Sequence, residues 1–300
     1  MTTIGFVGLG HMGQPMVKNL LQAGYTVKVY DVAKSALSAV VDIGAVEATS
    51  IADVATDVDV IITMLQTGEQ VSQVCLNRGG LFSHAKHGTL YIDCSSIEIS
   101  ITCELHKEAE MNGIEMVDAP VSGGTAGAEA GTLTFMVGGS DENFQRALPI
   151  LEKMGKKIIH AGKLSHGQAA KICNNLILGI TMIAVSEGFN LANKIGLDPK
   201  KFFEISSNAS GQCWAMTEYC PEPGLVDKAP SNNNYQPGFM AKMMLKDMRL
   251  AEHAAEVVSA MIPLGAEATQ LYSLFVSEGN GEVDFSGIIN MLKAKSKNLN

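Results

Sequence analysis

Near the N-terminus an apolar run, Ile4-Gly5-Phe6-Val7, breaks into Gly8-Leu9-Gly10-His11-Met12-Gly13, and a second run, Val27-Lys28-Val29-Tyr30, ends on Asp31. This pattern demands a strand that turns sharply, enters a helix at once and returns to a parallel strand closing on an acid about twenty residues later. Gly8 permits the turn, Gly10 leaves the backbone open to close approach, and Gly13 lets the helix pack tightly on the strand. Met12, Met16, Leu20 and Leu21 supply that helix with an apolar face. A glycine-rich turn alone is only a strand exit, but with strand, helix and acid in this order it describes a dinucleotide site. With no lysine or arginine among residues 8–13, pyrophosphate charge would be met by the first helical N–H groups and the positive end of the helix dipole. Asp31 would accept from a ribose hydroxyl and repel a 2′-phosphate, and Val32 and Ala33 offer no arginine to attract one. NAD is therefore expected over NADP, with Lys34 as the nearby cation.

Three hundred residues suffice for two domains. The net charge of −9 argues against nucleic acid or an anionic membrane as partner. The six cysteines form no CxxC pair, so they are expected as reduced thiols. His84, His87 and His106 lack the setting of a metal site, and no metal is expected. The longest charge-free apolar stretch, 172–186, carries two asparagines and is shorter than a bilayer span, so it is expected as a buried helix. Met1 leads directly into the first apolar run, so no leader and a cytoplasmic location are expected.

Up to residue 160 strand-like and helical runs alternate, with later strands expected at 58–64, 89–93, 114–119, 133–137 and 157–159. Alternation of this kind builds an α/β, Rossmann-type, doubly wound and mostly parallel sheet over 1–162. Ligands of such sheets lie beyond the carboxyl ends of strands, which puts Leu65-Gln66, Ser95-Ser96 and Ser122-Gly123-Gly124 on the ligand side. From 163 to 300 the pattern turns all-α. Helices are expected at 165–194, 239–258, 263–277 and 285–293, and another begins at Asp198-Pro199, an N-cap followed by proline. Between them, 208–237 is rich in Asn, Pro, Gly and Ser and holds the single tryptophan, Trp214; irregular segments this long are usually functional or disordered.

In Gly167-Gln168-Ala169-Ala170-Lys171-Ile172-Cys173-Asn174-Asn175, Lys171 and Asn175 share a helix face, and the lysine stands in an otherwise apolar helix. Alcohol oxidation by a nicotinamide needs a group that takes the hydroxyl proton. Lys171 would serve if desolvation or a nearby cation, for which Lys246 is a candidate, lowered its pKa; it could equally snorkel its head to the surface. Trp214 and Phe239 could be buried anchors or substrate contacts. Asp118 reads as structural, Asp247 as a partner that orients Lys246, and the sixteen methionines as core filler.

Four segments together resemble the β-hydroxyacid dehydrogenase family: the glycine turn, Asp118-Ala119-Pro120-Val121-Ser122-Gly123-Gly124, residues 167–175, and Lys246-Asp247-Met248. Within it, Ser210-Gly211-Gln212-Cys213-Trp214 and residues 230–239 are similar to the 3-hydroxyisobutyrate dehydrogenase branch. The resemblance implies oxidation of that small hydroxy acid to methylmalonate semialdehyde in valine breakdown. Lys171 would be the acid/base, and Ser122, Gly123, Asn175, Trp214, Phe239 and Lys246 would contact the substrate, with the Gly123-Gly124 backbone as a carboxylate nest. For NAD it implies Gly8, Leu9, Gly10, His11, Met12, Gly13, Asp31, Leu65, Gln66, Gln70, Ser96 and Lys246. Gln66 stands where proline is common, which would loosen its turn, and Ser96 where threonine is. A homodimer or homotetramer is expected. The alternatives are a reductase of tartronate or succinic semialdehyde and a non-catalytic NAD-binding redox sensor.

Overall fold

The computed structural model describes residues 2–294; residues 1 and 295–300, the outer ends of the two expected domain ranges, lie outside it. The chain divides into two compact units after Lys171, six residues into the helix His166–Lys194. The change of pattern expected at 162/163 coincides with the end of the last strand at Gly162.

The first unit carries one sheet of nine strands: β1 (Thr3–Val7), β2 (Thr26–Tyr30), β3 (Val46–Glu47), β4 (Val60–Thr63), β5 (Leu90–Asp93), β6 (Glu115–Asp118), β7 (Val121–Ser122), β8 (Leu133–Gly138) and β9 (Gly155–Gly162). Their order is β3-β2-β1-β4-β5-β6-β8-β7, with β9 pairing β8. From β3 to β6 all pairs are parallel, whereas β8 runs antiparallel to β6 and β7 and parallel to β9. This is a doubly wound sheet whose strand order reverses between β1 and β4, so a crevice opens at the carboxyl ends of those two strands.

The period of two sorts the central strands onto both faces. Ile4, Phe6, Val60, Ile62, Leu90 and Ile92 enter one core with Met16, Val17 and Leu20 of the first helix. Val7, Ile61 and Tyr91 enter the opposite core with Val54, Leu105 and Ala109. Burial on both sides explains the continuous apolar runs of β1 and β4, as parallel strands require. Two short strands, β3 and β7, are absent from the sequence expectation; at two residues each they are too short to show alternation.

The second unit is helical among the described residues, its extended pairing limited to a bridge between Met240 and Asp284. The expected helices appear as His166–Lys194, Ala241–Val258, Pro263–Phe275 and Ile288–Ala294, with short irregular helical turns at Val276–Asn280 and Phe285–Gly287. Asp198 caps the helix Pro199–Ser206 by accepting from the N–H groups of Lys200 and Lys201 at 2.8 and 3.1 Å. The stretch 208–237 contains a turn of helix at Trp214–Thr217 and a 3-10 turn at Pro230–Asn233.

The helix His166–Lys194 corrects one expectation. Its 29 residues, with a mean hydropathy of 1.5 over the most apolar window, are long and apolar enough to cross a membrane by length and composition, and only 44% of that window is buried. Met182, Ile183, Val185 and Phe189 enter the core of the second unit, so one face serves as a core helix. Ile177 and Leu191 stay exposed, as does Ile195 just past the helix end.

Candidate active site

The glycine turn has the shape its spacing demands. Gly8 adopts φ +99°, and a Cβ there would lie 2.3 Å from the Met64 carbonyl oxygen. A Cβ on Gly13 would lie 1.9 Å from the Gly8 carbonyl oxygen, while at Gly10 nothing stands within 4 Å. Two glycines therefore close the turn against its neighbours and the middle one faces open space. The helix Gly13–Gln22 begins with no side chain capping it, but the Gln14 N–H is taken by the Gly10 carbonyl at 3.1 Å and Pro15 has none, so an anion there would be met mainly by the positive end of the helix dipole, which corrects the expected role of several free helical N–H groups. Asp31 ties the end of β2 to the turn, accepting from the N–H of Leu9 at 2.6 Å and of Ala33 at 2.7 Å. A carboxylate has about four lone-pair sites, so Asp31 keeps capacity for ribose hydroxyls. The open backbone at Gly10, the uncapped helix and this acid fit a dinucleotide.

The other strand exits of this unit are pinned by hydrogen bonds. After β4, the Leu65 N–H donates to Ser95 Oγ at 2.9 Å, and the Gln66 N–H donates to Gln70 Oε1 at 3.1 Å. The turn at Gln66 is thus stapled, contrary to the expected loosening: proline, which has no N–H, could not make this bond. Thr67 caps the helix Gly68–Leu76 through the Gln70 N–H. After β5, the Ser95 N–H donates to Asp93 Oδ1 at 3.0 Å, and the half-buried Ser96 follows. After β7, Gly123 and Gly124 take φ values of +129° and +61°, conformations that favour glycine. The short helix Gly124–Glu129 begins there without a side-chain cap.

Lys171 is 8% exposed, which corrects the reading of a head group carried to the surface. Asn175 follows one turn later, and its side chain donates to Asp247 Oδ2. Asp247 is buried and also meets Lys246 Nζ at 3.2 Å through Oδ1, so it holds the asparagine and the lysine together. Trp214 is no buried anchor: it is 48% exposed and stacks on Tyr219 with ring centroids 4.9 Å apart. Phe239 is half-buried and packs edgewise on Phe285. His84 and His87 are exposed.

Three buried groups escaped the sequence reading. Asp284 accepts from Tyr219 Oη at 2.8 Å, from the Gly238 and Phe239 N–H groups at 3.0 Å, and from the Ser286 N–H and Oγ. Burial pushes its carboxyl up against the opposing pull of these donors. Asp93 is fully buried; burial raises its pKa to about 6, hydrogen bonds from Ser95 and Thr63 oppose the shift, and the Asp118 charge adds to it. Gln168 is also fully buried and bridges Ser95 and Ile97. The available signal was a polar residue inside an apolar helix or strand end, one that cannot be buried without a partner.

Residues 3–162 match the family model described as the NAD binding domain of 6-phosphogluconate dehydrogenase. Residues 165–292 match the one described as NAD-binding of NADP-dependent 3-hydroxyisobutyrate dehydrogenase. A probable mitochondrial 3-hydroxyisobutyrate dehydrogenase of Dictyostelium discoideum is 44% identical, covering 99% of this chain and 93% of its own. An NAD-dependent L-serine dehydrogenase of Pseudomonas aeruginosa is 45% identical, covering 95% and 96%. The solved structure of Mycobacterium tuberculosis 3-hydroxyisobutyrate dehydrogenase with L-serine superposes with a TM-score of 0.93 at 43% identity, covering 98% of this chain and 99% of that one.

Proposed function

Because the chain belongs to the 3-hydroxyisobutyrate dehydrogenase family of NAD-binding β-hydroxyacid dehydrogenases, we propose that it oxidises 3-hydroxyisobutyrate to methylmalonate semialdehyde, as in valine breakdown. One observation carries the assignment of the base: a buried lysine, Lys171, one helical turn from a buried asparagine, Asn175, in an otherwise apolar run. When bound, NAD supplies the hydride acceptor. Lys171 takes the hydroxyl proton at Nζ, and in the reverse direction returns it. Ser122 and the Gly123-Gly124 N–H groups hold the carboxylate, and Asn175, fixed by Asp247, orients the hydroxyl-bearing carbon. Lys246 contributes positive charge to substrate and cofactor, and Leu65, Gln66, Gln70 and Ser96 line the cofactor.

L-serine is the second reading, favoured by the Pseudomonas relative. The two acids differ at C2, methyl against ammonium. A buried ammonium needs a carboxylate partner, whereas Trp214 and Phe239, read here as the discriminating contacts, are apolar, and Asp247 is already engaged by Asn175 and Lys246. Comparing kcat/KM for 3-hydroxyisobutyrate, L-serine, tartronate semialdehyde and succinic semialdehyde with each nicotinamide cofactor tests the choice; higher turnover of L-serine overturns it. Lys171→Ala is expected to lower turnover by about 10²–10⁴-fold while NAD affinity holds, and retained turnover removes the assigned role.

The exposed apolar side chains Ile177 and Leu191 on one helix, with Ile195 just past its end, support association into a homodimer or homotetramer, which sedimentation analysis measures. A cytoplasmic location belongs to the same reading. Since the Dictyostelium relative is named mitochondrial, imaging of the tagged chain distinguishes the two.

A further inference from the structure

We propose that Asp118 and Gln168 are positioning residues for Lys171, seating the first turn of its helix on the ends of β5 and β6. The inference rests on Lys171 being the base. Asp118, at the end of β6, is fully buried, and both of its oxygens are committed to the helix start: Oδ1 accepts from the Ser165 N–H and Oδ2 from the Gln168 N–H, each at 2.8 Å. A carboxylate at the positive end of a helix is favoured electrostatically, and here it comes from a strand 47 residues away in sequence. Gln168 then clamps the other strand exit, donating from Nε2 to the Ser95 carbonyl at 2.7 Å and accepting the Ile97 N–H at Oε1 at 3.2 Å.

Two glycines make the seat possible. A Cβ at Gly167 would lie 2.4 Å from the Met136 carbonyl oxygen and 2.7 Å from Asp118 Oδ2. One at Gly138 would lie 2.5 Å from Asp118 Oδ1. The helix start is therefore pressed onto the sheet with backbone and carboxylate in direct contact. Lys171 stands three residues beyond Gln168, so the bonds that place Gln168 also set the height and rotation of the turn that presents the lysine. Gln168 has no exposed surface with which to touch substrate itself.

The test is a double-mutant cycle in the full-length protein, reading kcat, KM, NAD affinity and thermal midpoint. Gln168→Ala is expected to lower kcat by about tenfold to a hundredfold, with NAD affinity unchanged, and to have no further effect on the residual rate of Lys171→Ala. Asp118→Asn, which leaves one of the two helix N–H groups without an acceptor, is expected to behave in the same way. An unchanged kcat in the folded variant, or an equal further loss in the Lys171→Ala background, overturns the inference. Retained turnover in Lys171→Ala alone instead overturns the reading of the base. If Gln168→Ala does not fold, Gln168→Met, which keeps the volume without either bond, is judged by the same criterion.

Discussion

The two units hold their assigned residues by different physical means. In the first, the glycine turn is shaped by backbone: Gly8 and Gly13 close it because no side chain fits between strand, turn and helix, and the parallel register of β1 with β2 and β4 places the strand exits side by side. In the second, single buried carboxylates gather distant segments, a device that Asp118 brings to the end of the first. Asp284 joins Tyr219 to the Gly238-Phe239 backbone across 65 and 45 residues of sequence, and Asp247 reaches Asn175 across 72. A sheet propagates its geometry through a regular ladder, whereas irregular loops need specific polar hubs, since every buried N–H and O–H must find a partner.

This contrast predicts that the second unit is the more vulnerable to loss of one side chain. Asp284→Ala should show the largest effect, on the order of 4 kcal/mol, because it strips the acceptor from several buried donors at once. Urea unfolding measures it, together with increased mobility of Trp214 by fluorescence anisotropy. A loss comparable to that of an ordinary surface substitution would break the contrast. Gly13→Ala should cost about 3 kcal/mol through overpacking against the Gly8 carbonyl, accompanied by weaker NAD binding in calorimetry; a well-folded variant with normal affinity would show that the turn is more pliable than its contacts indicate.

A smaller effect is expected at Asp31. Asp31→Ala removes the acceptor for the Leu9 and Ala33 N–H groups and the repulsion of a 2′-phosphate, so the NAD-over-NADP ratio of kcat/KM should fall by about tenfold or more. An unchanged ratio would move cofactor discrimination elsewhere, with Lys34 the first alternative. The last effect concerns pH. Asp93 has a folded-state pKa raised by burial to about 6, above the ordinary aspartate value of 3.8. Its contribution to stability is therefore fully present below pH 3.8 and is lost as pH rises through about 6, where the buried carboxyl must ionise. Asp93→Asn should remove this slope, gaining about 3 kcal/mol relative to the parent between pH 4 and pH 7. A parallel pH dependence of the two proteins in urea titrations would show that Asp93 does not titrate there.

Legibility in the sequence follows the same division. The glycine turn and Asp31, the main strands, the helix His166–Lys194 and the Asp198-Pro199 cap were all readable, because each is written in residues within about one supersecondary unit. The staple from Gln66 to Gln70 was missed, although the two are only four residues apart, because a glutamine side chain does not announce which backbone group it will meet. Asp118 read as structural without its task being visible, and Gln168 and Asp284 were silent, since their partners lie far along the chain. The expected surface position of the Lys171 head group was an open alternative that burial closed.

Local sequence alone determined that this chain builds a doubly wound sheet, turns on glycine into a helix and ends its second strand on an acid. It did so because turn geometry, side-chain period and helix capping act over a few residues. Tertiary structure alone decided which buried carboxylates grip which distant N–H groups, how the start of the lysine-bearing helix seats on β5 and β6, and that Trp214 stays half in solvent. Those outcomes depend on which polar groups are left without water once the chain has packed.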